Sequence, residues 1–185
     1  MRHICLCIMC IMAALACSAQ EYSLSASRRH VRTSTDVVNI GMATATVAGV
    51  LIAKDWQGLK ECALSAVSTV GVSYILKYSI RKDRPDHSDY HSFPSNHSAV
   101  AFVNAGFLMR RYGWKFGVPA YALACYTAWG RTYAKRHDWW DVAAGAAIGT
   151  AAAYLFTKPY MSKHNIAIAP CATPHMRCIT ASITF

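Results

Sequence analysis

Between Val37 and Thr157 the chain repeats five times a stretch with no charged residue: Val37–Ala53, Cys62–Leu76, Ser98–Met109, Phe116–Gly130 and Val142–Thr157. Nothing else in the sequence restricts the fold as much. Uncharged runs of this length must be buried against one another or placed in lipid, and their Ala, Gly, Ser and Val content suits closely packed helices. The pattern predicts an all-α bundle of about five to six helices. The preceding segment, Gln20–Asp36, is more polar and reads as a lead-in or a surface helix. There is no internal repeat and no low-complexity tract.

The runs hold 12 to 17 residues, short of the roughly 20 that cross a hydrocarbon core. Taken alone, that length fits the core helices of a soluble bundle. The connecting charges point to a membrane instead. Lys54 and Lys60 flank the first connection, Arg110, Arg111 and Lys115 fill the third, and Lys158 and Lys163 follow the fifth run. Alternate connections therefore carry bases on one side, as the positive-inside rule expects. The other side receives the loops 81–94 and 131–141. The expectation is a membrane-embedded bundle in the cell (inner) membrane with those loops on the outer, periplasmic face; a soluble periplasmic protein is the alternative.

Residues 1–19 read as a secretory signal peptide, with a basic start at Met1-Arg2-His3, an apolar run from Ile4 to Ala16 and small residues before Gln20. Residues 20–164 form the bundle domain and 165–185 a tail. Four of the eight cysteines lie in the export segment. Cys62 and Cys125 sit in apolar runs as small core residues. In the tail, Ile166-Ala167-Ile168 and Ile179-Thr180-Ala181-Ser182-Ile183 are strand-like, and a short hairpin is expected, with Cys171 and Cys178 able to bridge it in an oxidising compartment. The topology above places that tail inside, where such a bridge would not persist.

The net charge is +10, and +9 once residues 1–19, which hold Arg2 and no acid, are removed. That balance points to anionic partners. Nucleic acid fits poorly, because the bases are not gathered on an arm or one helix face but beside histidines and short loops.

Three clusters carry chemistry. At the end of the second run, Lys77 and Arg84 are seven residues apart, so a continuing helix would set them on one face, with Pro85 marking its end. Two long cations at a helix mouth make an anion clamp, although a solvated basic helix end would look the same. Before the third run, Pro94 and Ser95 read as a helix start whose free N–H groups bind anions, with His97 in the first turn. Before the fifth, His137 and Asp141 are four apart on one helical face. A carboxylate against one imidazole nitrogen fixes the tautomer and leaves the other as a nucleophile. Asp86, His87, Asp89 and His91 read as a polar rim rather than a metal cluster.

Together these clusters read Lys77-x6-Arg84-Pro85, Pro94-Ser95-Asn96-His97 and Arg131-x5-His137-x3-Asp141. In that spacing the chain resembles the type 2 phosphatidic acid phosphatase family, which also includes class A bacterial acid phosphatases and vanadium haloperoxidases. The resemblance runs from about Lys77 to Asp141. It implies that Lys77, Arg84 and Arg131 hold the phosphoryl oxygens together with backbone N–H groups near Ser95 and Asn96. It further implies that His137 attacks phosphorus, oriented by Asp141, and that His97 serves as acid and then base, with no metal and no cofactor. The implied substrate is a phosphorylated lipid, monophosphate or diphosphate, or a small phosphate ester; a soluble acid phosphatase and a haloperoxidase are the alternatives. Two positions depart from the family. Asn96 stands where the second motif usually has glycine, and Gly130 precedes Arg131 where the third usually has serine.

Overall fold

A computed structural model of the chain describes residues 26–85, 87, 89–160, 165–173 and 176–184, the last two stretches by their backbone. The expected signal segment 1–19 and the start of the bundle domain lie outside the described residues. Five helices carry the fold: α1 (Ala26–Ile52), α2 (Trp56–Ser79), α3 (Asn96–Tyr112), α4 (Trp114–Tyr133) and α5 (Trp139–Phe156). Beyond them, β1 (Asn165–Thr173) and β2 (Met176–Thr184) pair antiparallel, with Cys171 opposite Cys178 in the register.

The helices are longer than the uncharged runs. α1 has 27 residues, α2 24 and α4 20. The sequence reading stopped each helix at its first charge, but charged residues at helix ends complete the last turns. α1 also absorbs most of the segment read as a lead-in. α1 and α2 are long and apolar enough to cross a membrane.

The burial pattern of α2 is inverted relative to a helix in water. Its inward stripe is Glu61, Ser65, Thr69 and Ser73, the last three no more than 1% exposed, while Leu64, Val67 and Ile75 are 55–68% exposed. Two of the inward hydroxyls return to the helix's own backbone, Ser65 to Glu61 O and Thr69 to Ser65 O, each at 2.7 Å. On a surface bathed in water, the apolar stripe faces the core. Here the aliphatic side chains face outward, an arrangement that is stable where the surroundings are as apolar as they are.

Glycine sets how closely the site-bearing helices approach. A Cβ on Gly149 of α5 would lie 2.2 Å from Ala99 O of α3, and one on Gly145 would lie 2.5 Å from Ser95 O. α5 therefore lies directly against the start of α3. Gly113, at φ 87°, ends α3 and begins α4 in a single residue, so the two helices run side by side in opposite directions.

Candidate active site

Three chain segments meet where α2 and α4 end and α3 and α5 begin. Ser95 caps α3: its backbone is extended, and its Oγ accepts from the Ser98 N–H at 3.5 Å. Its own N–H donates to Asp141 O at 3.0 Å, and Ser98 Oγ donates to Val142 O at 2.9 Å. The second and third motifs are thus stitched together by hydrogen bonds. The Phe93–Pro94 bond preceding the cap is cis.

α5 begins at Trp139, two residues after the His137 that was expected on its face. Asp138 is its N-cap and makes a capping box with Asp141. His137 therefore precedes the helix instead of sharing its face, and the pairing with Asp141 is made across the cap. Nδ1 of His137 lies 3.6 Å from Asp141 Oδ2. That is an ion-pair distance, too long for a hydrogen bond, and Nδ1 has no hydrogen-bond partner. The Asp141 carboxylate is held firmly from elsewhere. Lys82 Nζ donates to Oδ1 at 2.7 Å, Ser92 Oγ donates to Oδ2, and the Asp138 N–H donates to Oδ2 at 3.2 Å. Lys82 also donates to Asp138 at 2.5 Å. Burial pulls Lys82 down, but these two carboxylates outweigh it and raise its affinity for the proton, so it is a fixed cation beneath Asp141.

Arg84 also departs from expectation. α2 ends at Ser79 with Ile80 as its cap, so Arg84 sits in the following loop and not on the face carrying Lys77. The loop is folded back by Lys82 N–H to Tyr90 O, Ser92 N–H to Lys82 O and Arg84 N–H to Asp89 O. Lys77 Nζ donates to His91 O at 3.0 Å. Asp89 joins Arg84 at 3.3 Å and His91 Nδ1 at 2.9 Å, and these partners hold its carboxyl below the usual range against the opposing pull of burial. Asp89 and His91 of the expected polar rim therefore position Arg84; Asp86 lies outside the described residues. Among the described residues, no three His, Cys, Asp or Glu side chains gather as metal ligands.

The two cations and two histidines converge. Lys77 and Arg84 bear electrostatically on both His97 and His137. The backbone N–H groups of Arg136 and His137 both turn back to Arg131 O, at 3.1 and 3.4 Å. Burial drives His137 down to about 4, a tendency that Asp141 resists and Lys77 and Arg84 reinforce. Its imidazole is therefore neutral near pH 7 and available as a nucleophile. Several buried polar atoms have no partner: Nε of Arg84, Nε of Arg131 and Oδ1 of Asn96. Buried N–H groups without acceptors are rare in folded proteins, and an anion would satisfy the two arginine Nε donors, whereas Oδ1 of Asn96 is an acceptor that needs a donor. Asn96 is the first residue of α3 and has no positive φ, so its backbone does not need the freedom of glycine expected at this position.

Sequence reasoning missed what α1 contributes. Asp36 Oδ1 accepts from Arg131 Nη2 and lies 3.3 Å from His97 Nε2, and Asn39 Nδ2 donates to His97 O at 3.4 Å. Arg32, one turn before Asp36, bears on both His97 and Arg131. A signal was present: Arg32, Asp36 and Asn39 make a polar stripe entering an apolar helix, and such residues in a membrane segment mark function by default.

The PAP2 superfamily model matches residues 58–164. The chain is 38% identical over 124 residues to a lipid A 4'-phosphatase of Helicobacter pylori, across 61% of this chain and 63% of that protein. It is 35% identical over 100 residues to a lipid A 1-phosphatase of Porphyromonas gingivalis, across 52% of this chain and 22% of that one. The match thus spans less than two thirds of either relative's length. In fold it is similar to LpxE of Aquifex aeolicus, with TM-score 0.53, 20% identity and coverage of 74% of this chain and 95% of that one. It is also similar to a transmembrane PAP2-type phosphatidylglycerolphosphate phosphatase of Bacillus subtilis, with TM-score 0.57, 22% identity and 84% coverage of each. With more than half its length matched by the family and that family's three motifs gathered at one end of its helices, the chain belongs to the PAP2 superfamily, the type 2 phosphatidic acid phosphatases.

Proposed function

We propose that this protein is a membrane phosphatase that removes phosphate from a lipid, through a phosphohistidine and without a metal. The observation that carries the reading is that Lys77 and Arg84 both bear on the buried His137, while Nε of Arg84 and Nε of Arg131 are buried without acceptors, in a bundle where the aliphatic side chains of α2 face outward. The lipid A phosphatases matched in sequence support a phosphorylated glycolipid as substrate.

In this reading Lys77, Arg84 and Arg131, with the N–H groups at the start of α3, hold the phosphoryl oxygens. Positive charge fixed in advance is the main catalytic resource for phosphoryl transfer. His137 Nδ1 faces Asp141, so Nε2 attacks phosphorus; the P–O bond to the lipid breaks, and His97 donates its proton to the departing oxygen. Water then attacks the phosphohistidine, His97 takes the water's proton, and the P–N bond breaks to release inorganic phosphate. Asp141 stabilises the imidazolium character that His137 acquires, and Lys82 and Ser92 keep the carboxylate aimed. The loops 81–94 and 131–141 face the periplasm, with Lys54, Lys60, Arg110, Lys115 and Lys158 exposed at the opposite, inner end.

The test is phosphate release by detergent-purified protein from lipid A, phosphatidic acid, polyprenyl diphosphate and a soluble ester, with His137→Ala and EDTA as controls. Release from a lipid that survives EDTA and disappears in His137→Ala is expected. Release from the soluble ester alone would replace the lipid reading with that of a broad-specificity acid phosphatase.

A further inference from the structure

Asp36 belongs to none of the three motifs, yet its Oδ1 touches a member of two of them, Arg131 and His97. It is brought there by a missing side chain. A Cβ on Gly130 would lie 2.4 Å from Cγ2 of Thr35, the residue before Asp36, so α1 reaches α4 at this level because residue 130 is glycine. Thr35 is fully buried in that contact, while Asp36 itself is about one third exposed, with side-chain relative accessibility of 35%. A carboxylate so placed presents an oxygen where the cup would meet a phosphoryl oxygen.

We propose that Asp36 is a positioning residue that stands in for a phosphoryl oxygen: in the empty enzyme it holds the guanidinium of Arg131 and the ring of His97, and the incoming phosphate displaces it. The inference rests on reading this cup as a phosphate site. A phosphate outcompetes the carboxylate because it brings more charge and more oxygens, and Nε of both Arg84 and Arg131 remains to be satisfied. The exchange has a thermodynamic consequence. Every anion that enters must displace an existing ion pair, so Asp36 weakens binding of inorganic phosphate and favours its departure after hydrolysis.

The test is titration calorimetry of orthovanadate and inorganic phosphate into detergent-purified protein, which needs no turnover. Asp36→Asn is expected to tighten both by about two- to fivefold, the scale of a partly exposed ion pair, and Asp36→Ala to tighten them in the same direction. Asp36→Glu, which keeps the charge, is expected to stay within about twofold of the wild type. A merely structural lesion would weaken binding instead. In turnover, Asp36→Asn is expected to lower KM while kcat falls or holds, whereas a damaged site raises KM as kcat falls. Unchanged or weaker orthovanadate binding in both Asp36→Asn and Asp36→Ala would overturn the proposal. Loss of the phosphatase reading would show separately, as wild-type protein that releases phosphate from none of the lipids or esters tested.

Discussion

The two ends of the bundle each bury an arginine, and the two are treated in opposite ways. At the end away from the site, Arg111 closes α3 and is 7% exposed. Its Nε and Nη2 grip Asp55 at 2.7 and 2.5 Å, and its Nη1 reaches Glu61 at 3.2 Å and Lys158 O at 3.0 Å. Tyr112 donates to Asp55 at 3.0 Å, and Tyr160 lies over the guanidinium at 5.2 Å. At the site end, Arg131 is 3% exposed, pairs with Asp36, leaves Nε without an acceptor, and has Arg32 and Arg136 as electrostatic neighbours. A buried cation whose donors are satisfied holds a structure together. One held among like charges with a donor open is arranged for something that arrives later. The difference lies in the partners, since burial is the same at both ends.

Substitution at the two ends should separate activity from stability. The largest effect expected is on catalysis: His137→Ala removes the proposed nucleophile and lowers kcat by at least about a thousandfold, with helical content by circular dichroism unchanged. Residual turnover near the wild-type rate would remove His137 from the chemistry. The next is at the end away from the site. Arg111→Leu strands Asp55 and Glu61 in the interior and should cost about 3–5 kcal/mol of stability, read as a loss of thermal stability in detergent. Arg131→Leu should abolish activity while costing far less stability, because the partner it leaves, Asp36, is already reached by solvent. Equal thermal losses in the two variants would erase the contrast.

A third effect is a pH dependence that arises at the site end. His137 is buried and its affinity for the proton is depressed to about 4 from 6.5, so the unfolded chain binds the proton more readily than the folded one. Its contribution to stability is thus complete above about pH 6.5 and declines as pH falls toward 4. Relative to His137→Gln, the wild type should lose up to about 3 kcal/mol across that window. A difference that does not change with pH would show that His137 is not held neutral. The smallest effect concerns the packing that joins the motifs. Gly149→Ala forces α5 away from Ala99 O and should cost about 1–3 kcal/mol, with kcat falling through misplacement of Ser95 and Asp141. Unaltered thermal stability would mean that the helices approach less closely than described.

Much of this was legible from residue order. Ser95 as a helix cap, His97 in the first turn and five helical segments follow from local rules of capping and composition, which depend on near neighbours. What local rules miss is contact between distant parts of the chain. Arg111 reads as one of several inner-side bases, and only its pairing with Asp55, 56 positions earlier, reveals it as a buried strut. Asp36 reads as the end of a polar lead-in, and only its 95-residue reach to Arg131 reveals a place in the site. Arg84 and His137 were assigned to helix faces because the helices were extended across caps at Ile80 and Asp138. The opposite error shortened the uncharged runs relative to the helices, since a charge at a helix end resembles a loop until the next turn is seen to continue.

The most direct test of a cationic cup built around a phosphorylated imidazole is a rapid quench with radiolabelled lipid phosphate. Label should appear on the protein as an acid-labile, base-stable adduct, accumulate when His97→Ala slows its hydrolysis, and vanish in His137→Ala. Label that persists in His137→Ala, or turnover by the wild type without any protein-bound phosphate in the quench, would contradict it.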